Sequence, residues 1–266
     1  MTGEQDAPVL TARGLTKRFG TLLAVDGVDY TLRQGEVAGI IGSNGAGKST
    51  LFNLLTGYYP PDTGSIYYQG VDVTRAPPQQ LVAMGMVRTF QLTSTFDNLS
   101  VEDNLVLAHF RAQRRPTLLH LFLNTCARHR GEERIREALE TFALAHARSR
   151  QVRELSLGEK RRLEIAMAIL SGPKVLLLDE PLAGLSESEI RGVLGVLRAQ
   201  AGRLTLLIVE HKVSQIRDFV QRLTVMHDGR IIAEGSYEEC MEHPAVRRSY
   251  WQIGAPPEDE TEKNPA

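Results

Sequence analysis

Apolar and polar residues alternate with two different periods along this chain of 266 residues. Residues 9–29 contain short runs of β-forming residues separated by single glycines, which predicts strands joined by tight turns. Residues 36–41 form a short apolar run, and the apolar positions of residues 51–55 have helical spacing. We therefore expect a small β-rich lobe, followed by the strand, loop and helix that begin a βαβ unit.

The middle of the chain has the period of a helix. Between residues 101 and 170 the apolar positions recur at intervals of three and four, as in Ile135, Leu139, Phe142 and Leu144. This spacing predicts a helical subdomain over about 92–170. It includes a less regular stretch at 111–131, whose basic residues and proline predict an insertion that loops out.

Strand and helix patterns alternate on both sides of the helical subdomain, which predicts a parallel sheet. The segments are a strand at 65–69, a helix at 79–84, an apolar run at 86–90, a strand at 175–178, a helix at 187–201, a strand at 204–209, a helix near 213–220 and strands at 223–226 and 231–233. The expected fold is α/β, with a parallel sheet core, a small antiparallel β lobe and the helical subdomain. We expect one domain over 9–254, with flexible tails at 1–8 and 255–266.

Composition excludes some classes of function. The 31 Lys and Arg residues almost balance the 32 Asp and Glu residues, so no global field would attract nucleic acid or anionic lipid. Cys126 and Cys240 match no metal or redox spacing, which suits a reducing compartment. The apolar runs are shorter than the roughly 20 residues of a membrane span, and residues 1–8 lack the pattern of a secretory signal. We expect a protein that neither crosses a membrane nor is exported.

Residues 42–49, GSNGAGKS, fit the phosphate-loop pattern G-x-x-x-x-G-K-[ST]. Glycines let such a loop curl so that its N–H groups point at phosphate oxygens, and the helix that follows directs its positive end at the same anion. A glycine-rich turn can match by chance, but the required strand and helix are both predicted here. The predicted nucleotide contacts are Ser43, Asn44, Gly45, Ala46, Gly47, Lys48, Ser49 and Thr50. Lys48 would pair with the β- and γ-phosphates, and the Ser49 hydroxyl would bind Mg²⁺.

Two acids, Asp179 and Glu180, close the apolar run 175–178. In P-loop enzymes a carboxylate at the carboxyl end of a neighbouring parallel strand lies beside the nucleotide and its Mg²⁺. Asp179 is the candidate for the metal. Glu180 can face the γ-phosphate and act as the general base for the attacking water. Such a pair is otherwise common in exposed turns, so this prediction depends on the phosphate loop upstream.

Residues 155–159, LSLGE, open an amphipathic helix over 160–170 and form a second helix N-terminus suited to an anion. A nucleotide site within one chain does not need two such ends, whereas a head-to-tail dimer uses each end once per ATP. We therefore expect ATP between two chains, with Ser156 and Gly158 facing the phosphate.

The order of these motifs resembles that of the ABC ATPase family, over residues 10–254. The resemblance implies that Phe19 stacks on adenine and that Gln91 contacts Mg²⁺ and the attacking water. It also implies that His211 contacts the γ-phosphate and that residues 183–186 cross the dimer interface. A lone histidine after a strand is usually structural, so only its place in the motif order supports this role for His211.

Several segments resemble the ATP-binding subunits of branched-chain amino acid importers: 87–91, 94–104, 111–130, 161–166 and 246–250. Importers of urea and short amides share much of this pattern and remain an alternative. The chain departs from the common signature LSGGQ at Leu157 and Glu159, and Ser186 stands where Asp is common. We expect the charge of Glu159 to weaken ATP binding unless Lys160 or Arg161 offsets it.

The resemblance implies an ATPase that uses ATP and Mg²⁺ and closes as a dimer on two ATP molecules. The expected partners are transmembrane permeases, gripped by a groove beside Gln91, a second identical or different ATPase subunit and a periplasmic or extracellular solute-binding protein. The expected location is the cytoplasmic face of the membrane. A soluble ABC ATPase acting on nucleic acid usually has two motor domains or a long coiled coil, and an inactive module would lack Lys48, Asp179 or Glu180. This chain has one phosphate loop and no heptad run, which argues against the first alternative, and it contains all three residues, which argues against the second. We expect no nucleic-acid partner.

Overall fold

The computed structural model describes residues 7–89, 95–112 and 132–251. The predictions made for Gln91, for Cys126, for most of the insertion at 111–131 and for the tails 1–6 and 255–266 lie outside the described residues.

Ten strands form two sheets in the described part of the chain. They are β1 (Pro8–Phe19), β2 (Leu22–Arg33), β3 (Val37–Gly42), β4 (Thr63–Tyr68), β5 (Val71–Asp72), β6 (Met86–Arg88), β7 (Val175–Asp179), β8 (Thr205–Glu210), β9 (Arg222–His227) and β10 (Arg230–Gly235). The first sheet has the order β2-β1-β4-β5 and is antiparallel throughout. It is the predicted β lobe.

The central sheet has the order β10-β9-β3-β8-β7-β6. Its neighbouring strands are parallel except for the antiparallel pair of β9 and β10. Every residue of β3, β7 and β8 is buried, as expected for parallel strands covered on both faces. The predicted α/β class with a parallel core is therefore confirmed. The expectation that the strand ending in Asp179 neighbours the phosphate-loop strand is wrong, because β8 lies between β3 and β7.

Helices connect the strands and cover the sheet. Those described are α1 (Lys48–Leu55), α2 (Pro78–Ala83), α3 (Val101–Ala112), α4 (Glu133–Thr141), α5 (Leu157–Leu170), α6 (Glu187–Arg198), α7 (Val213–Ile216), α8 (Tyr237–Glu242) and α9 (Pro244–Trp251). The helices predicted at 187–201 and near 213–220 are shorter than expected, and α8 and α9 have no counterpart among the predicted elements. Within the described ranges no helix is both long enough and apolar enough to cross a membrane.

Two apolar cores lie on opposite faces of the central sheet. Successive residues of a strand point to opposite faces, so Leu177 packs in one core and Leu178 in the other. The first core contains the apolar face of α1 and the antiparallel lobe. The second contains α5 and the buried residues of the helical subdomain, among them Ile135. The sheet therefore lies between the helix of the phosphate loop and the helix that begins in LSLGE.

Candidate functional site

The phosphate loop is packed tightly against the backbone of two other strands. A Cβ atom at Gly42 would lie 2.5 Å from the carbonyl oxygen of Met226, and one at Gly47 would lie 2.3 Å from that of Ala24. Gly47 also has a φ of 98°, a left-handed conformation that glycine adopts at little cost. Both positions therefore require glycine, which explains the sequence pattern in physical terms.

The predicted nucleotide contacts lie on one strand-to-helix turn between β3 and α1. Their exposure differs along the turn: Ser43, Asn44, Gly45 and Ser49 are exposed, Gly47 and Thr50 are half-buried, and Ala46 and Lys48 are buried. The first turn of α1 carries no acidic side chain that would compete for its amide groups. This end of α1 is therefore suited to an anion.

Lys48 lies at the centre of the site. Its ammonium group donates hydrogen bonds to the carbonyl oxygens of Gly42, at 2.8 Å, and Ser43, at 2.9 Å, and lies 3.3 Å from Nδ1 of His211. Burial lowers the pKa of Lys48, while the carboxylates of Glu180 and Asp179 oppose this effect. The ammonium group is thus held at the mouth of the loop beside the two strand-end acids.

The position of β8 between β3 and β7 explains how His211 contacts both Lys48 and Glu180. The carboxyl ends of β3, β8 and β7 lie side by side, so the residue after β8 stands between Lys48 and the end of β7. Nε2 of His211 lies 2.5 Å from Oε1 of Glu180. His211 therefore bridges the lysine and the predicted base, a juxtaposition that the sequence did not reveal.

Glu180 leaves the sheet in a left-handed conformation, with a φ of 46°. A residue with a β-carbon rarely adopts this conformation, and such positions concentrate at functional sites. Its N–H donates to the carbonyl oxygen of Val209 at 2.9 Å, which fixes the start of the turn against β8. The conformation separates Glu180 from Asp179, its neighbour in β7.

Asp179 is almost fully buried, with a relative exposure of 2%. Its Oδ2 accepts a hydrogen bond from Nη2 of Arg88 at 2.8 Å, whereas Oδ1 is buried and has no hydrogen-bond partner among the described residues. Burial raises the pKa of Asp179, and the Arg88 guanidinium opposes that rise. One oxygen of this carboxylate is therefore engaged and the other is left for a ligand.

Arg88 and Glu210 were not singled out in the sequence. Glu210 is buried next to His211, and its Oε1 accepts a hydrogen bond from the N–H of Leu182 at 2.9 Å. Burial raises the pKa of Glu210 to about 7. Both residues could have been found from the sequence, because each is a charged residue within or at the end of an apolar run that predicts a strand.

The LSLGE segment begins α5 with a capping box. Oγ of Ser156 accepts from the N–H of Glu159 at 3.2 Å, and the Glu159 carboxylate accepts from the N–H of Ser156 at 2.7 Å. Oε1 of Glu159 also lies 2.7 Å from Nε2 of His146. Burial favours a higher pKa for Glu159, but the hydrogen bonds from Ser156 and His146 lower it overall. The Ser156 O–H remains able to donate to an anion.

Lys160 and Arg161 were named as residues that could offset the charge of Glu159, but the residue in contact with it is a different one. His146 is the residue that contacts the Glu159 carboxylate. Arg161 is buried and pairs instead with Glu164, at 2.9 Å. The partner lies before the helix in the sequence, where the spacing of the motif gives no hint of it.

Gly158 already has an acceptor within its own chain. Its N–H donates to Oε1 of Glu189 at 3.1 Å, and Oε2 of Glu189 accepts from the N–H of Ser186 at 3.0 Å. One carboxylate thereby joins the N-termini of α5 and α6. The segments predicted to face a partner's ATP and to cross the dimer interface are in contact with each other inside one chain.

Phe19 lies at the end of β1 with 43% of its surface exposed. Tyr59 packs edge-on against it, with ring centroids 5.4 Å apart, and Nζ of Lys17 lies 5.8 Å from the Phe19 centroid. An exposed aromatic ring of this kind can stack on a nucleobase. The contact with Tyr59 was not predicted.

A groove of 890 Å³ lies between the central sheet and the helical subdomain. Exposed apolar side chains on its walls include Tyr58, Val82 and Phe96, and Arg88 also lines it. The docking groove predicted for a membrane partner was placed beside Gln91, which is outside the described ranges.

Three features define a P-loop ATPase of the ABC type. They are the phosphate loop, the two acids at the end of β7 with the histidine between them and the loop, and the LSLGE segment that begins α5 on the other face of the sheet. The chain belongs to the ABC transporter family, whose model matches residues 25–183. It is 35% identical to the high-affinity branched-chain amino acid transport ATP-binding protein BraF of Pseudomonas aeruginosa, over 91% of this chain and 97% of that protein. It is 38% identical to the corresponding protein LivG of Salmonella typhimurium, over the same shares.

Solved structures of this family have the same fold. A nucleotide-free ATP-binding cassette from an ABC transporter superposes with a TM-score of 0.78 at 32% identity, covering 94% of this chain and 100% of that one. The ADP conformation of MJ1267, an ATP-binding cassette of an ABC transporter, gives a TM-score of 0.78 at 33% identity and covers 92% and 99%. The similarity therefore extends over almost the whole chain.

Proposed function

We propose that this chain is the ATP-hydrolysing subunit of an importer for branched-chain, hydrophobic amino acids, acting at the cytoplasmic face of the membrane. The observation that carries the ATPase part is the cluster in which His211 joins Lys48 to Glu180. The names of the relatives BraF and LivG support the substrate class. An ATPase subunit does not itself contact the cargo, so the substrate class is inferred from these relatives.

The residues at the site fit a Mg²⁺ ion bound together with ATP. Mg²⁺ prefers oxygen ligands and usually takes only one or two from the protein, and the unpartnered Oδ1 of Asp179 is such an oxygen. Ser49, Asp179 and Gln91 would hold the ion, which neutralises charge on the β- and γ-phosphates when bound.

The chain's own groups divide the chemistry of hydrolysis. The amide groups of the loop and Lys48 bind the triphosphate, and the ring of Phe19 stacks on adenine. Glu180 accepts the proton of the attacking water, in a geometry fixed by its left-handed backbone. His211, already within reach of Lys48, contacts the γ-phosphate.

The position of α5 supports an ATP site shared by two chains. The central sheet separates α1 from α5 within one chain, so Ser156 serves the nucleotide of a second ATPase subunit, identical or different. Gly158 joins it when its N–H exchanges the bond to Glu189 for one to the phosphate. The groove lined by Tyr58, Val82 and Phe96 receives a helix of a transmembrane permease. A periplasmic or extracellular solute-binding protein completes the importer.

The role of Glu180 is tested with the variant Glu180→Gln, which keeps the shape of the side chain but removes the base. We expect ATP binding within about threefold of wild type, because a neutral isostere leaves the phosphate loop unchanged, and turnover at least ~100-fold lower. Glu187→Gln is a matched control, because Glu187 is a 93% exposed carboxylate on the next helix. Unchanged hydrolysis by Glu180→Gln would contradict the assignment of the base.

The substrate class is tested by transport. The importer is reconstituted from this chain, its permeases and its solute-binding protein, and uptake of labelled leucine, urea and acetamide is measured with wild type and with Glu180→Gln. We expect leucine uptake that the variant abolishes. Uptake of urea or acetamide in place of leucine would refute the amino acid substrate while leaving the ATPase role intact.

A further inference from the structure

Arg88 connects three parts of the nucleotide site that are distant in sequence. Its guanidinium group donates from Nη2 to Oδ2 of Asp179 at 2.8 Å. The other arm, Nη1, donates to Oδ1 of Asn53 and, at 3.2 Å, to Oγ1 of Thr56. Asn53 lies in α1, the helix that begins at Lys48, and Thr56 is its C-cap. The side chain thus ties the helix of the phosphate loop to the end of β7.

Two aromatic rings hold the plane of this guanidinium. Its central carbon lies 4.6 Å from the ring centroid of Phe52 and 4.9 Å from that of Tyr58. Only 12% of the Arg88 side chain is exposed, so these contacts are shielded from water. A planar group with aromatic contacts and two separately bonded arms has little freedom to reorient.

The carboxylate of Asp179 is oriented as a result. One of its oxygens is held by Arg88, and the other is buried without a hydrogen-bond partner among the described residues. A carboxylate held in this way cannot exchange its two oxygens by rotation without breaking the contact with Arg88. A lysine at position 88 could pair with Asp179, but its single ammonium group could not reproduce the fork that also reaches Asn53 and Thr56.

We propose that Arg88 is a positioning residue for the metal carboxylate, which fixes Asp179 so that Oδ1 is presented to Mg²⁺ beside the phosphate loop. This inference rests on the proposed function, in which Asp179 serves the metal. Groups that orient a metal ligand in this way typically change metal affinity by about 10- to 100-fold when they are removed.

The test compares Arg88→Met and Arg88→Lys with a control that loses an equally buried arginine. Arg222 is suitable, because its side chain is 11% exposed, its Nε bonds Oε1 of Glu36 at 2.5 Å and its guanidinium lies 5.5 Å from the ring of Tyr30. These partners join the two sheets and do not belong to the end of β7. Arg222→Met therefore reports what the loss of a buried guanidinium does to folding alone.

Binding of a fluorescent, non-hydrolysable ATP analogue to the full chain is titrated at a series of Mg²⁺ concentrations and in EDTA. The temperature is set below the lowest melting temperature of the four proteins. For Arg88→Met we expect the Mg²⁺ concentration that gives half of the maximal gain in analogue affinity to rise at least about tenfold. The affinity for the analogue in EDTA should stay within about twofold of wild type. Arg88→Lys should shift the half-maximal Mg²⁺ concentration by more than about threefold, because lysine keeps the positive charge but loses the fork, and Arg222→Met should match wild type.

Two results would overturn the inference. Equal Mg²⁺ dependence in Arg88→Met and Arg222→Met would show that Arg88 supports folding only, and a wild-type Mg²⁺ dependence in Arg88→Lys would show that a positive charge without the fork is enough to serve Asp179. A wild-type protein that binds the analogue without any dependence on Mg²⁺ would refute the metal role of Asp179 and this inference together. A Mg²⁺-dependent wild type with unaffected variants would refute the inference alone.

Discussion

Glu210 provides a prediction about stability and pH. Its carboxyl is 3% exposed at the end of β8, and its folded pKa rises from 4.5 to about 7, mainly because burial disfavours the charged form. The hydrogen bond from the N–H of Leu182 opposes this rise, and the negative charge of Glu180 adds to it. The Glu210 carboxyl group therefore ionises less readily in the native protein than in the unfolded chain.

The sign of the effect follows from proton binding. Between pH 4.5 and about 7 the native state binds more protons at Glu210 than the unfolded state does, so the free energy of unfolding falls as the pH rises through this window. The loss of unfolding free energy that Glu210 causes is absent below pH 4.5 and complete above pH 7. A shift of this size corresponds to about 3 kcal/mol.

Replacement of Glu210 by Gln should remove the penalty. The amide oxygen can still accept the Leu182 N–H, but the side chain no longer ionises. At pH 8 we expect the variant to unfold about 6–12 °C above wild type, since 1 kcal/mol shifts the melting temperature of a domain of this size by about 2–4 °C. At pH 4.5 the two proteins should unfold at nearly the same temperature.

Thermal unfolding followed by circular dichroism from pH 4.5 to pH 8 checks this prediction. Glu210→Ala should lie below wild type at pH 4.5, because it leaves the buried N–H of Leu182 unpaired at a cost of about 1–3 kcal/mol. The exposed Glu187→Gln should leave the pH profile unchanged. A constant difference between Glu210→Gln and wild type across the whole range would refute the reasoning, because it would show that Glu210 titrates alike in both states.

Three further substitutions test the helix N-termini. Gly47→Ala should abolish binding of the ATP analogue, since its Cβ would lie 2.3 Å from the carbonyl oxygen of Ala24; binding within twofold of wild type in a titration would contradict the packing of the loop. Ser156→Ala should cost about 1 kcal/mol in thermal unfolding by loss of the N-cap, as should Ser236→Ala, which removes the same capping box at α8. Only Ser156→Ala should also reduce ATPase activity of the assembled transporter, and equal activity in the two variants would argue against a phosphate contact of Ser156.

The fold class and the main motifs follow from local features of the sequence. Strands buried on both faces must be apolar along their whole length, so 175–178 and 204–209 were predicted as strands within a few residues of β7 and β8. Glycine at positions 42 and 47 is required by close backbone approach, so the phosphate loop has a readable pattern. Helices α8 and α9 were missed because six and eight residues are too few to establish a helical period.

The local sequence patterns did not predict which charged side chains pair with each other. Arg88 meets Asp179 across 91 positions of sequence, His211 reaches Lys48 across 163, and His146 rather than an adjacent lysine contacts Glu159. Each contact depends on which strands are neighbours, above all on the insertion of β8 between β3 and β7.

The sequence by itself determined the α/β class, the phosphate loop and the acids at the end of β7, because backbone conformation and burial act on neighbouring residues and leave a local pattern. Only the tertiary structure decided that His211 stands between Lys48 and Glu180, that Arg88 orients Asp179 and that Glu189 joins two helix N-termini. The physical reason is that hydrogen bonds and ion pairs require atoms within about 3–4 Å, and strand order sets those distances independently of sequence separation.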